Sequence, residues 1–221
     1  MVAVAGQVLL ELVSAPTRVW LAERGQRRSF EDGALIHSRG EADMGMGIVI
    51  EGKVRLSQLR SDGSETFLSI VLPGQHFGDI PLFQGRKRTH DALAVGPTEI
   101  DHYDFDAFMA LLDHPEIVRT LYRITAMRLG GTIVMNDDLR GLPRHVHLAK
   151  ILLHQWRLYG EQPDIPCVQE DLAGILGVST MTLSKCLAVL RKEGLIETGY
   201  RRITLTDPAA LKAWLSRQSS F

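Results

Sequence analysis

Cysteine is scarce in this chain of 221 residues: Cys167 and Cys186 are the only two. Two thiols cannot staple a disulfide scaffold, and they are too few to hold an iron–sulfur cluster alone. Cys186 falls on the inward face of a predicted helix and reads as a packed thiol. No apolar run is long enough to span a membrane. The N-terminus, MVAVAGQVLLELV, lacks the basic start of a signal peptide and carries Glu11, which predicts a cytoplasmic protein. A His-x-His pair on a strand, as a cupin-type metal enzyme would need, is also missing. The one such pair, His145-Val146-His147, falls on a predicted helix, where i and i+2 do not face each other, and is expected at the surface. No nucleophile–base arrangement stands out, so an enzyme is not expected.

What is present is an uneven charge. The net is −1, but residues 1–139 hold 14 Lys+Arg against 19 Asp+Glu, and residues 140–221 hold 11 against 7. The positive end contains QEDLAGILGVSTMTLSKCLAVLRK, Gln169 to Lys192. Leu172, Ala173, Ile175 and Leu176 give a first short helix one apolar side. Gly177 sits where the chain must turn, Val178 plugs the turn, and Ser179 is a suitable N-cap for a second helix. That helix turns Leu183, Cys186, Leu187 and Leu190 inward. Its outward residues, Thr180, Met181, Ser184 and Lys185, include no acid, as expected of a helix that enters the major groove of DNA. Lys185 suits guanine O6/N7, Met181 and the Thr180 methyl suit a thymine methyl, and Ser179, Arg201 and Arg202 suit phosphates. The competing possibility is a ligand-binding or dimerisation module that has lost DNA binding.

Elsewhere the chain reads as follows. One or two short helices lie in 3–24, with Pro16 at a start. Short apolar runs follow at 34–37, 47–51, 53–59, 66–72, 90–95 and 98–103, punctuated by Gly52, Ser61-Asp62-Gly63, Pro73-Gly74 and Gly96-Pro97. Ser-Asp-Gly predicts a hairpin, and many short, evenly spaced strands predict an antiparallel barrel or jelly roll. A helix is expected over 104–112 and a long one from Pro115 to about Asp138, too long to be covered by one small barrel, so that a partner helix from a second subunit fits. Gly130-Gly131 in its middle predicts close approach of two helices or, as the alternative, a helix meant to loosen. Residues 140–143 break it, 144–159 form another helix, a small wing hairpin turns at 198–200, and Asp207-Pro208 opens a last helix.

A second constellation is PGQHFGDIPLF, 73–83, followed by Arg86-Lys87-Arg88-Thr89. Backbone amides near Gly78 could accept an anion, a nearby carboxylate a hydroxyl, and a guanidinium of the basic run a phosphate, because it donates two bonds at once; the alternative is a solvated basic loop.

From about Arg27 to Leu205, these motifs resemble the cyclic-AMP receptor protein and fumarate–nitrate regulator superfamily of bacterial transcription factors. The resemblance rests on GIVIEGKVRLSQLRSDGSETFLSIVLPGQHFGDIPLF, the long helix after Pro115, and the helix pair with its wing. It implies an α+β chain with an N-terminal cyclic-nucleotide-binding barrel over 1–114, a dimerisation helix over 115–140 and a winged helix-turn-helix over 141–221. It implies a homodimer on near-palindromic double-stranded DNA, contact with RNA polymerase, and a ligand pocket at Gly78, Asp79, Arg88, Thr89 and Thr132. It also exposes departures. Asp79 stands where the family's cyclic-AMP binders carry Glu, His90 where they carry Ala, and Thr132-Ile133 where they carry Thr-Ser. These changes argue against cyclic AMP and leave a different ligand, haem through His76 or His90, or no effector at all.

Overall fold

Two short helices, α1 (Leu9–Leu12) and α2 (Ala15–Ala22), open the computed structural model, which describes residues 8–42, 45–59, 65–158 and 161–218. Pro16 sits in the first turn of α2, where its missing N–H costs nothing. The strands follow: β1 (Gln26–Phe30), β2 (Leu35–His37), β3 (Gly45–Leu59), β4 (Glu65–Val71), β5 (His76–Phe77) and, after helix α3 (Asp79–Gln84), β6 (Asp91–Asp104). All pairings are antiparallel, in the order β1-β6-β3-β4, with β2 added to β6 and β5 to β3. The expected Ser61-Asp62-Gly63 hairpin lies outside the described residues.

The expected closed barrel or jelly roll is not formed. The six-stranded sheet is open: β1 pairs only with β6 and β4 only with β3 among the described residues. The evenly spaced apolar runs misled because four of them are halves of two long strands. The breaks at Gly52 and Gly96, both at positive φ, bend strands instead of ending them. The register of β3 against β6 slips on both sides of Glu51. At Gly52 a Cβ would collide with the Pro97 carbonyl and stand 2.5 Å from Thr98 Oγ1. That buried hydroxyl locks the bulge, donating to Lys53 O at 3.1 Å and accepting from Lys53 N at 3.3 Å. Strand β1 carries almost no apolar pattern because it is a charged edge. Arg27 on it donates to Asp101 at 2.6 Å and to Glu99 at 3.0 Å.

Helix α4 (Phe105–Leu111) is capped by Asp104, whose carboxylate accepts from Ala107 N at 2.9 Å. Helix α5 (Pro115–Gly141) runs past the break expected from residue 140. Its Ile117, Leu121 and Ile124 join Leu9, Leu21, Met46, Ile48, Tyr103 and Phe108 in one core, and Val49, Val54, Val71, Phe77, Ala92 and Ile100 form another within the sheet. By compactness the chain divides into Met1–Gly130 and Gly131–Phe221.

The second unit holds α6 (Arg144–Leu158), β7 (Asp164–Pro166), α7 (Gln169–Leu176), α8 (Thr180–Lys192), β8 (Ile196–Gly199), β9 (Arg202–Leu205) and α9 (Pro208–Gln218). The three strands form a small sheet, β7-β9-β8. Helix α6 is wrapped on several sides: Val146, His147, Leu148 and Ala149 are buried in succession. His147 is therefore not a surface residue, as the sequence had suggested; a helix at the centre of its unit has no free face. No single described helix is long and apolar enough to cross a membrane; the α7–α8 pair passes that test only as two helices bent by 94°.

Candidate functional site

In the first unit, a cavity of about 90 Å3 lies against β5, α3 and the segment before β6. Apolar side chains form one wall, including Leu56, Leu68, Val71, Phe77 and Ile80. Gly78 is left-handed at φ +85, and a Cβ on it would stand 2.5 Å from Arg88 Nη1 and 2.5 Å from Gly45 O. The buried Arg88 guanidinium passes over this bare backbone to donate to that same carbonyl.

Asp79 opens α3 and is only 2% exposed. His76 Nε2 lies 3.2 Å from its Oδ2. Arg128, from α5, reaches both oxygens, at 3.4 and 3.5 Å, and donates to the His76 carbonyl at 3.2 Å. Burial by itself would raise the pKa of the Asp79 carboxyl. The neighbouring His76 and the Arg128 guanidinium outweigh it and hold the group well below the usual carboxylate range. Across the cavity, burial together with the Arg88 charge pushes His37 down to about 3, so this imidazole is neutral. Thr89 Oγ1 and His90 Nδ1 are 2.8 Å apart, which ties up the threonine hydroxyl, and burial lowers the His90 pKa. His76 is fully buried, and its Nδ1 has no hydrogen-bond partner among the described residues.

In the second unit, α7 ends on Gly177 at φ +67, and Val178 N donates back to Ala173 O at 3.0 Å, closing the helix. The next helix meets it at 94°, within the range of a helix-turn-helix. Ser179 caps α8 by accepting from Thr182 N at 3.3 Å. Leu172, Ala173, Leu176, Leu183, Cys186, Leu187 and Leu190 are all in the core. Thr180, Met181, Ser184 and Lys185 are exposed along the first turns of α8, with no acid in the first turn. The wing is β8 and β9, joined by Tyr200-Arg201.

Residues 27–114 match the cyclic nucleotide-binding domain and residues 146–214 match the Crp-like helix-turn-helix domain. The cyclic AMP receptor protein of Thermus thermophilus is 30% identical over 200 residues, covering 90% of this chain and 92% of that protein. The CRP-like cAMP-activated global transcriptional regulator of Mycobacterium tuberculosis is 29% identical over 198 residues, covering 86% and 88%. The chain belongs to the CRP/FNR family of transcription regulators. A solved structure of a CRP/FNR-family transcriptional regulator from Thermus thermophilus superposes with a TM-score of 0.70 at 25% identity, covering 88% of this chain and all of that one.

Within this CRP/FNR regulator, four of the five pocket residues named from sequence, Gly78, Asp79, Arg88 and Thr89, line one cavity. The fifth, Thr132, is exposed on α5 in the second unit. Arg128 and His37 were missed. For Arg128 a signal existed: it lies one helical turn before Thr132 and so shares its face. His37 offered none, being a single histidine at the end of a three-residue strand. Both wing arginines are exposed, and Arg202 pairs with Asp164 at 3.3 Å.

Proposed function

We propose that this regulator works as a homodimer that reads a near-palindromic operator through α8. Thr180, Met181, Ser184 and Lys185 address base edges, and Ser179, Arg201 and Arg202 address phosphates. The observation that carries the reading is the capped, acid-free and exposed start of α8, set at 94° to its partner helix. The exposed apolar residues of α5, among them Tyr122, Leu129 and Ile133, support pairing with a second copy. Such pairing would set two recognition helices about 34 Å apart, one turn of DNA. Contact with RNA polymerase belongs to the reading by family resemblance alone.

A small anion in the first-unit cavity is the proposed control. Arg88 and Arg128 suit its charge, and a ligand shifts the regulator between DNA-binding states only by its differential affinity for them. The donor set differs from what cyclic AMP asks for. The carboxylate for a ribose hydroxyl is engaged by Arg128, and the Thr89 hydroxyl by His90. His76, beside a carboxylate and with a buried Nδ1 that has no partner among the described residues, supports haem as a second reading.

Two measurements test the reading. Selection of duplexes from a random pool, followed by anisotropy titration at several salt concentrations, should recover a palindrome whose affinity falls steeply with salt. Failure to bind any duplex would end it. Calorimetry with cyclic AMP, cyclic GMP and haem sorts the ligand readings. Heat with cyclic AMP would overturn the donor-set argument, and heat with haem would favour the second reading. No heat with any of the three would remove haem and both cyclic nucleotides and leave another anion or no effector.

A further inference from the structure

The wing turn is built from residues that do not suit a turn. Strands β8 and β9 pair up to Gly199 and Arg202, leaving a two-residue loop, Tyr200-Arg201. Such loops favour Asn-Gly or Asp-Gly, whose backbones reach positive φ without strain. Here the second position is Arg201 at φ 52, one of two non-glycine residues with positive φ among those described. The conformation is held from outside the hairpin, since Cys167 N donates to the Arg201 carbonyl at 2.9 Å. The first position is Tyr200, 90% exposed, the barest large hydrophobic side chain described. Neither side chain serves the fold: one sits on a strained backbone and the other is almost wholly exposed. Strain kept at a loop tip points to a ligand contact.

The neighbouring charges differ in availability. Arg202 lies across Gly199, where a Cβ would stand 2.8 Å from its Nε, and pairs with Asp164, which also accepts from the Thr204 hydroxyl. Among the described residues no hydrogen bond or ion pair engages the Arg201 guanidinium.

From this we propose that Tyr200 is a DNA-contact residue. Its hydroxyl donates to a phosphate oxygen, its ring packs on the adjoining sugar, and Arg201 supplies the accompanying charge. This rests on the DNA-binding reading above and extends it to a residue which that reading leaves out. The contact positions the wing without reading sequence.

The test is anisotropy titration of the full-length protein on its selected operator and on an unrelated duplex. Tyr200→Phe should weaken both complexes about threefold and Tyr200→Ala about tenfold, the range one hydrogen bond and its packing supply. Arg201→Ala should lower the salt slope by about one, as expected for one lost phosphate contact. If wild-type protein binds and Tyr200→Ala binds equally well, the inference is wrong. If Tyr200→Ala weakens only the operator complex, the residue reads bases and the phosphate assignment is wrong. If the wild type binds neither duplex, it is the DNA-binding reading that fails.

Discussion

Gly78 and Arg88 occupy one another's space: a single carbon added at residue 78 would stand 2.5 Å from the Arg88 guanidinium. That proximity lets a buried cation reach the Gly45 carbonyl. Gly78→Ala meets three obstacles, the left-handed φ of +85, the guanidinium and the Gly45 carbonyl. The variant is expected to lose more in urea unfolding than the usual cost of forcing a residue into that backbone region, about 1–3 kcal/mol. Gly85, also left-handed but open to solvent, is the control: alanine there meets no neighbouring atom, so only the backbone cost applies. Equal losses at the two positions would show that the contacts with Arg88 and the Gly45 carbonyl contribute nothing.

Asp79 and Arg128 form the other fixed relationship of the cavity. The carboxylate is buried and the guanidinium is 21% exposed, so removing the charge of Asp79 takes the carboxylate partner from a largely desolvated cation. Asp79→Asn should cost about 3–5 kcal/mol, the range for breaking a buried pair by deleting one partner. Arg128→Met in the same background should recover part of the loss, because the desolvated charge is then gone. A double variant as unstable as the sum of the two singles would mean that the residues do not interact.

The helix pair was legible in the sequence because its signals are local. Gly177, Ser179 and the apolar spacing from Leu172 to Leu190 each lie within a turn or two of what they determine, and all fall where expected. The sheet was less legible. Gly52 and Gly96-Pro97 carry the residues of turns, yet the strand pairing resumes beyond them. Only long-range pairing distinguishes a bulge from a turn, so an open sheet of long strands looked like a barrel of short ones. Strand β1 was hidden because its pairing partners, Glu99 and Asp101, are more than 70 residues away. The cavity was legible in part. Gly78 to Thr89 lie close together in the chain, whereas Arg128 comes to Asp79 across 49 residues.

Acid should destabilise both units, for a calculable reason. Burial, then the Arg88 charge, pushes His37 down to about 3. Burial, then the Arg157 charge, pushes His154 down to about 4. Unfolded, each imidazole takes up a proton near pH 6.5, as in model peptides. Above that pH both states are neutral and the contribution is flat. Below it the unfolded state binds a proton that the folded state refuses, so stability falls by up to about 1.4 kcal/mol per pH unit for each group until the folded pKa is reached. Asp79, its pKa depressed, adds a further loss only below the ordinary carboxylate range. Urea midpoints should therefore drop between about pH 6.5 and pH 4, and His154→Gln should make the drop shallower. A midpoint that rises on acidification would contradict both assignments.

Among the described residues nothing explains Gly130. A Cβ there would meet nothing within 4 Å, and an interior helical glycine costs about 1 kcal/mol relative to alanine. Leu129, Ile133 and Val134 around it are 61%, 55% and 57% exposed, apolar surface that α5 leaves bare. Close approach of the same helix from a second copy accounts for both facts, since glycine admits a neighbouring backbone where alanine would hold it off. Gly130→Ala should then raise the helical signal of the dissociated chain and also raise the dimer dissociation constant, measured by sedimentation equilibrium. A dimer that tightens along with the helix would remove close approach and leave the glycine as a point where α5 is built to loosen.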